Sequence, residues 1–473
     1  MDGHGPRIVT GKARGAVLLL MAVAAGGAPL HAQDPPIWLP VSHWSHSLIA
    51  RQHALGGAAV DPTVWVHTQD EAAAALETLP AQRLEARGGT RVQAAAEVQF
   101  LMGRGAVSPA GYTLDRVWTG PHRRRDVAGA SVRGRASVLA GRRVALAAEL
   151  VAAKGAAAVE HATVAVTAGP VQLWAGRRAV GYRPGEGGGL VLSGLERFDG
   201  AGVRTARPLA VPLVGPLTGE TFFGPLPGNG HVRSPWLAGL RVHARLHPRF
   251  DAGATRAAVF GGLDGARLGP LQLAGVVVGT NLGGRYADDQ VASVDARWRP
   301  PWTGLPLEFY GEWGMHDMDP GVLLQVAAYT LGLRLPRVAA GAAGELGLGI
   351  EYTRIGGSCC GNPPWYHHFE LADGWVVDGE LLGHPLGGHG REWRLTAGGT
   401  GASGQLLVHG ALALRTRQEE NLVAPAREGR AVAFEVAADL LATRHISLET
   451  RLRGERGAGW RSLHSATAVR WRM

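Results

Sequence analysis

Along most of this chain, hydrophobic and polar residues trade places at every second position. Leu240, Val242, Ala244 and Leu246 alternate with Arg241, His243, Arg245 and His247. Val432, Phe434, Val436, Ala438 and Leu440 alternate with Ala433, Glu435, Ala437 and Asp439, and Ile446, Leu448 and Leu452 with Ser447, Glu449, Arg451 and Arg453. Successive side chains of a strand point to opposite faces, so each segment predicts a strand with one apolar and one polar face. A soluble sandwich also alternates, turning its polar face to bulk water. Charge placed within long strands points instead to a transmembrane barrel, apolar toward lipid and charged toward a wet lumen. The final segment fits: Val469, Trp471 and Met473 share one face, and His464, Arg470 and Arg472 the other. About 350 residues, at about 10 per strand plus turns and loops, supply roughly sixteen to eighteen strands.

The period is different near the N terminus. Thr68-Gln69-Asp70-Glu71 forms a capping box, in which the threonine oxygen accepts from the Glu71 amide and the Glu71 carboxylate reaches back. Ala72, Ala75, Leu76 and Leu79 follow at helical spacing, and Pro80 stops the run. Ser42 to Leu55 and Arg91 to Met102 read as two further short helices, ended by glycines. Three such helices bury little surface alone and need a larger body to pack against. Before them, Arg7, Lys12 and Arg14 precede the apolar run Ala16 to Ala25, with a cleavage site at Leu30-His31-Ala32. This reads as an export signal, too short for a membrane helix. The expected organisation is a signal at 1–32, a periplasmic helical region or plug at 33–110, and a barrel at 111–473.

Composition sharpens the address. Hydrophobic residues make up 46% of the chain, with 70 Gly and 14 Trp, which suits turn-rich β structure and not disorder. The formal charge is +9, and Lys154 is the one lysine beyond the signal, so the positive charge is nearly all arginine. GC-rich coding explains that bias; guanidinium also suits a lumen or surface that meets acidic sugars or phosphates. An exported chain without a recognisable binding motif makes nucleic acid a poor partner. Cys359 and Cys360 are adjacent and make neither a disulfide framework nor a zinc motif. No GxSxG elbow or HExxH motif occurs, so a hydrolase is the weakest reading.

The densest chemistry lies in Trp365-Tyr366-His367-His368-Phe369-Glu370-Leu371-Ala372-Asp373-Gly374-Trp375 and in His384 to Gly390. Trp365, Tyr366 and Trp375 have three possible uses: a membrane-interface belt, a loop core, or a platform for sugar rings. The sugar reading places His367, His368, Glu370 and Asp373 beside the aromatic faces as hydrogen-bonding groups. His316, His367, His368, His384 and His389, with Asp317 or Asp319, could gather as metal ligands, but their spacing fits no established motif. Tyr182-Arg183-Pro184-Gly185-Glu186-Gly187-Gly188-Gly189 mimics a phosphate loop. Strand-like Leu190-Val191-Leu192 follows it, so a tight turn or a loop folded into the lumen is the better reading.

Taken in order, several segments resemble the Wzi-type capsule assembly family: Leu48 to Trp65, Tyr182 to Ser193, Ala238 to Arg241, Asp289 to Asp295, Phe309 to Glu312 with Asp317, and the histidine-rich region. Tyr182 and Arg183 stand where that family often has Trp and Gly. The resemblance implies a mainly β fold: an antiparallel transmembrane β-barrel of about 18 strands with a small periplasmic helical bundle. It also implies a non-catalytic, lectin-like outer-membrane protein that binds capsular or extracellular polysaccharide. The partners expected are that polymer and outer-membrane lipid, with a monomeric barrel and no cofactor or metal. The candidate contacts are Trp365, Tyr366, His367, His368, Asp373, Trp375, Asp317 and Arg183. A porin or substrate channel is the alternative.

Overall fold

A computed structural model describes residues 91–472 apart from 105–127, 141–142, 154–155, 227–234, 262–287, 303–305, 317–327, 342–343, 357–363, 369–373, 378–379, 423–426 and 444, and from the N-terminal part residues 49, 51, 54, 55, 61, 63 and 64. The segment read as a signal, the helix expected over Thr68 to Leu79, Asp317, Asp319, Glu370, Asp373, Cys359 and Cys360 lie outside the described residues.

Nineteen strands share one antiparallel sheet. The three-residue Leu209–Val211 pairs with Gly215–Pro225 as a hairpin extension, which leaves eighteen strands in the wall. The first wall strand, Arg91–Arg104, pairs with Ala128–Ala140 on one side and with the last strand, Trp460–Arg472, on the other. Val98 lies opposite both Val132 and Val469, so the sheet closes and has no open edge. Arg91 to Met102, expected as a third helix, is therefore a correction. Its Ala94-Ala95-Ala96 run is a helix former, but two neighbouring strands supply the backbone partners that make it wall.

Connections at the end holding both termini are short, as at 169–170 and 248–249. Those at the other end include 181–194, 226–235 and 356–389. Short turns face the periplasm in outer-membrane barrels and long loops face outward, which orients the wall.

Both faces follow the period of two. Leu246, Val432, Phe434, Val436, Ile446, Leu448 and Leu452 are exposed on the outside, where lipid would cover them. Aromatic rings mark both interfaces. Trp298 stacks on Phe309 at 5.7 Å near the periplasmic end, and Tyr352 packs on Trp393 at 4.6 Å near the outer one. Inside, the expected arginines meet acids. Arg241 is buried between Asp61 (3.0 Å) and Asp295, Arg245 pairs with Asp251 (3.0 Å), and Arg451 with Glu449. Arg470 bridges Glu97 (2.9 Å) and Glu449 (3.1 Å). A one-residue slip of a strand would turn its inward charges toward hydrocarbon, at about 2–4 kcal/mol for an arginine near the midplane.

The N-terminal residues that are described sit against this inner wall. Ile49, Arg51 and Ala54 are helical and buried. Arg51 donates to the Pro336 carbonyl at 2.6 Å and pairs with Glu345 at 3.0 Å, toward the periplasmic end. Farther along, Asp61 accepts from the Thr63 amide (3.0 Å) and hydroxyl (2.7 Å) while holding Arg241. Burial opposes the charge on Asp61, yet Arg241 and His243 with those hydrogen bonds hold its carboxyl well below the usual range.

Candidate functional site

The connection 181–194 turns inward. Its first contact is with the N-terminal segment: Val64 bridges Tyr182, and the Arg183 amide donates to the Thr63 carbonyl at 2.6 Å. Wall side chains then grip its backbone. Glu351 accepts the amides of Glu186 and Gly187, each at 3.1 Å, and the Tyr310 hydroxyl at 2.9 Å. Glu312 accepts the Leu190 amide at 3.0 Å, and Arg297 donates to the Pro184 carbonyl at 2.6 Å. The glycines permit this approach: a Cβ on Gly185 or Gly187 would strike Glu351. The loop folded into the lumen, expected from the sequence, is what forms.

A second layer caps the first. Trp365, Tyr366 and Trp375 are each 0% exposed. The Tyr366 hydroxyl donates to the Leu190 carbonyl (2.7 Å) and accepts from the His384 amide (2.8 Å), and the Trp375 indole donates to the Val191 carbonyl (2.9 Å). Trp365 meets Tyr366 edge-on at 5.7 Å. Tyr366 adopts φ of 71°, a left-handed backbone that a bulky residue keeps only when its surroundings fix it. Of the three uses open to these rings, the loop core is the one observed. Buried rings offer no face for a sugar, so the platform expected at Trp365, Tyr366 and Trp375 is corrected to a support.

Charged side chains of the wall pin this layer too. Glu392 pairs with Arg394 (2.9 Å) and Arg415; Glu455 pairs with Arg415 (3.2 Å), Arg417 (2.8 Å) and Arg427 (2.9 Å). Arg417 passes the grip on to the Leu386 carbonyl at 3.1 Å, beside Asn421 at 2.9 Å. His384 lies in the middle, where its ring and the carboxylates of Glu351 and Glu392 bring three potential ligand atoms within 4.8 Å of one another. The geometry suits a neutral imidazole better than a metal ligand. Nδ1 accepts from the Leu386 amide at 3.1 Å, so Nε2 carries the hydrogen in the neutral ring, and two guanidiniums already lie on Glu392. Burial, with Arg394, Arg415 and Arg183 nearby, pushes the His384 pKa down to about 3 against the pull of Glu392.

The other histidines do not join His384: one goes to Asp289 and two to Glu420. His316 pairs with Asp289 at 2.7 Å, His367 bonds the Glu420 carbonyl at 2.9 Å, and His389 faces the Glu420 carboxylate at 3.2 Å. His367 and His368 are half-buried at the edge of the layer. Burial also lowers the pKa of His367. Arg183, expected at the binding face, turns inward and donates its Nε to the Ser193 carbonyl. Sequence reasoning passed over Glu351, Glu392 and Glu455. Their signal was a lone carboxylate on the inward side of an alternating strand.

Closed antiparallel wall, apolar outer band, paired aromatic girdles and loop-filled lumen together define an outer-membrane β-barrel. Residues 102–458 match the family model described as capsule assembly protein Wzi, and the chain belongs to that family. Among solved structures it is similar to Escherichia coli Wzi, with a TM-score of 0.70 at 15% identity over 92% of this chain and 99% of that one. That protein is described as an outer-membrane, carbohydrate-binding β-barrel involved in group 1 capsule assembly. The Pseudomonas aeruginosa barrel OpdP gives a TM-score of 0.47 at 9% identity, over 82% of this chain and 94% of that one. OpdQ from the same organism gives 0.45 at 8%, over 81% and 98%. A search of curated protein sequences found no match.

Proposed function

We propose that this barrel holds a capsular or extracellular polysaccharide at the cell surface, on the outward side of its loop layer, without transforming it. One observation carries the reading: two loop segments fill the outer end of the lumen, and wall carboxylates and guanidiniums grip their backbones. Such a layer is a rigid platform and a poor conduit. The family membership and the carbohydrate-binding description of the Escherichia coli barrel support it. Sugar contact falls to groups at the edge of the layer, His367 and His368, with Asp317 and Asp373 as further acceptors. Trp365, Tyr366 and Trp375 hold the platform from beneath, and Arg183 braces it. The N-terminal segment, as a small helical plug, closes the lumen from the periplasmic side. Each sugar contact is weak, and retention comes from many repeats of one polymer engaging at once.

The test is retention of purified acidic capsular polysaccharide by the immobilised barrel. His367→Ala with His368→Ala is expected to weaken retention while assembly and heat stability stay at parental level. A double variant that assembles normally and retains polymer like the parent overturns the siting. A parent that retains no polymer overturns the function.

A further inference from the structure

Along one arc of the wall, outward positions are mostly apolar until the extracellular end is reached. In Gly344–Ile355 the outward row runs Leu346, Leu348, Ile350, Tyr352 and then Arg354. From the same extracellular end, Gly390–Gly401 begins Arg391, Trp393, Leu395, and Gly429–Leu441 begins Arg430, Val432, Phe434. Ile446–Gly457 closes its apolar row with Arg456, and Trp460–Arg472 opens with Arg461 before Leu463. Six neighbouring strands thus carry five outward arginines toward one end: Arg354, Arg391 and Arg430 share a row with Thr416 of Leu406–Arg417, and the pair Arg456 and Arg461 lies one outward position deeper, with Arg456 opposite Val432. Arg354 stands directly opposite Arg391, and Arg456 opposite Arg461.

Like charges directly opposite on an antiparallel pair destabilise it unless something anionic lies between them. All five arginines are exposed, and no ion pair joins any of them to a carboxylate among the described residues. Glu419 and Glu428 are exposed on the nearby 418–428 connection and are not paired to the five. The opposite arc handles the same problem internally. There the outward Arg177 is held by Asp199 at 2.7 and 2.5 Å. Depth narrows the missing anion. Arg354, Arg391, Arg430 and Arg461 each sit one outward position, about 7 Å, beyond an apolar or aromatic residue of their own strand, and Arg456 lies beside Val432 at the edge of that band, which is where lipid headgroups begin. A cavity of about 390 Å³ opens at this level between Tyr352, Arg354, Arg391, Thr416, His389 and Gln418.

We propose that Arg354, Arg391, Arg430, Arg456 and Arg461 form a binding strip for phosphate groups of an anionic lipid in the outer leaflet, with one phosphate seated in the cavity between Arg354 and Arg391. Guanidinium takes phosphate oxygens bidentately, and basic residues at headgroup depth bind anionic lipid. The strip faces lipid, away from the loop layer, and so stands or falls independently of polysaccharide binding. It also ties one arc of the wall to the leaflet on which the polymer would rest.

The test uses the full-length barrel in nanodiscs that contain phosphatidylcholine with either bisphosphorylated lipid A or its dephosphorylated form. Native mass spectrometry counts the glycolipid retained after mild activation. The parent is expected to keep the phosphorylated form selectively. Arg354→Gln with Arg391→Gln is expected to lower that retention about tenfold, and lysine at both positions to restore part of it. Arg143→Gln, an exposed site at the periplasmic end, is expected to change nothing. Heat-modifiable gel migration checks that each variant is assembled. Equal retention of both lipid forms, or an assembled Arg354/Arg391 double glutamine variant that behaves as the parent, overturns the strip. So does displacement of its lipid by a phosphate-free uronic acid polymer.

Discussion

Arginines on the inner wall and arginines on the outer rim occupy the same kind of position, alternate residues of long strands, and meet opposite fates. Arg241 inside is buried between Asp61 and Asp295, and Arg417 reaches both Glu455 and the backbone of Leu386. Arg354 and Arg391 outside face each other with no carboxylate between them among the described residues. These inner arginines find carboxylates and backbone carbonyls within the molecule and so can fix a plug. The outer set is incomplete and so points to something beyond the molecule. Pairing, not residue type, separates a structural arginine from one free to bind.

The contrast is broken most severely from the inside. Arg241→Leu strands Asp61 and Asp295 as buried charges, and removing one partner of such a pair costs about 3–5 kcal/mol. Urea unfolding in detergent is expected to show a loss of that order. Trp375→Ala opens a cavity under the second layer and lets go of Val191, at about 3 kcal/mol. Because the damage is confined to loops, it is expected as faster hydrogen exchange over 374–389 with the wall unchanged.

Acid is expected to act more gradually through His384. Its folded pKa of about 3 lies below the ordinary 6.5, so the unfolded chain takes up a proton that the fold refuses. Its contribution is intact above about pH 6.5 and is lost as pH falls toward 3, by at most about 1.4 kcal/mol per unit. Exchange over 382–389 is expected to rise across that window in the parent and to lose this slope in His384→Gln. Smallest of all, Arg461→Gln on the outer rim is expected to move stability by no more than about 0.5 kcal/mol. A loss as large as that of Arg241→Leu would erase the distinction between the two sets.

Much of the wall was legible because lipid and lumen impose a period of two on every strand. The Leu240 and Arg241 series falls on the expected faces for that reason. Arg91 to Met102 misled because its central alanines favour a helix, although Val92, Val98, Phe100 and Met102 already alternate with Gln93, Glu97 and Gln99. The aromatic loop was harder. Nothing local to Trp365, Tyr366 and Trp375 shows that Leu190 and Val191, far back in the chain, will take their polar groups and bury their rings. The outer arginines needed register as well as alternation. Arg354 and Arg391 are separated by a long loop in sequence and become neighbours only when their strands pair.

Single-channel recording of the purified parent barrel in a planar bilayer is the most direct test of the loop layer as a closed platform. With the lumen filled by residues 181–194 and the described residues 364–368, 374–377 and 380–389, and gripped by Glu351, Glu312, Arg297 and Arg417, the expected record is a flat baseline across moderate voltages. Steady conductance steps of the kind an open porin gives, seen in the unaltered protein, would contradict it.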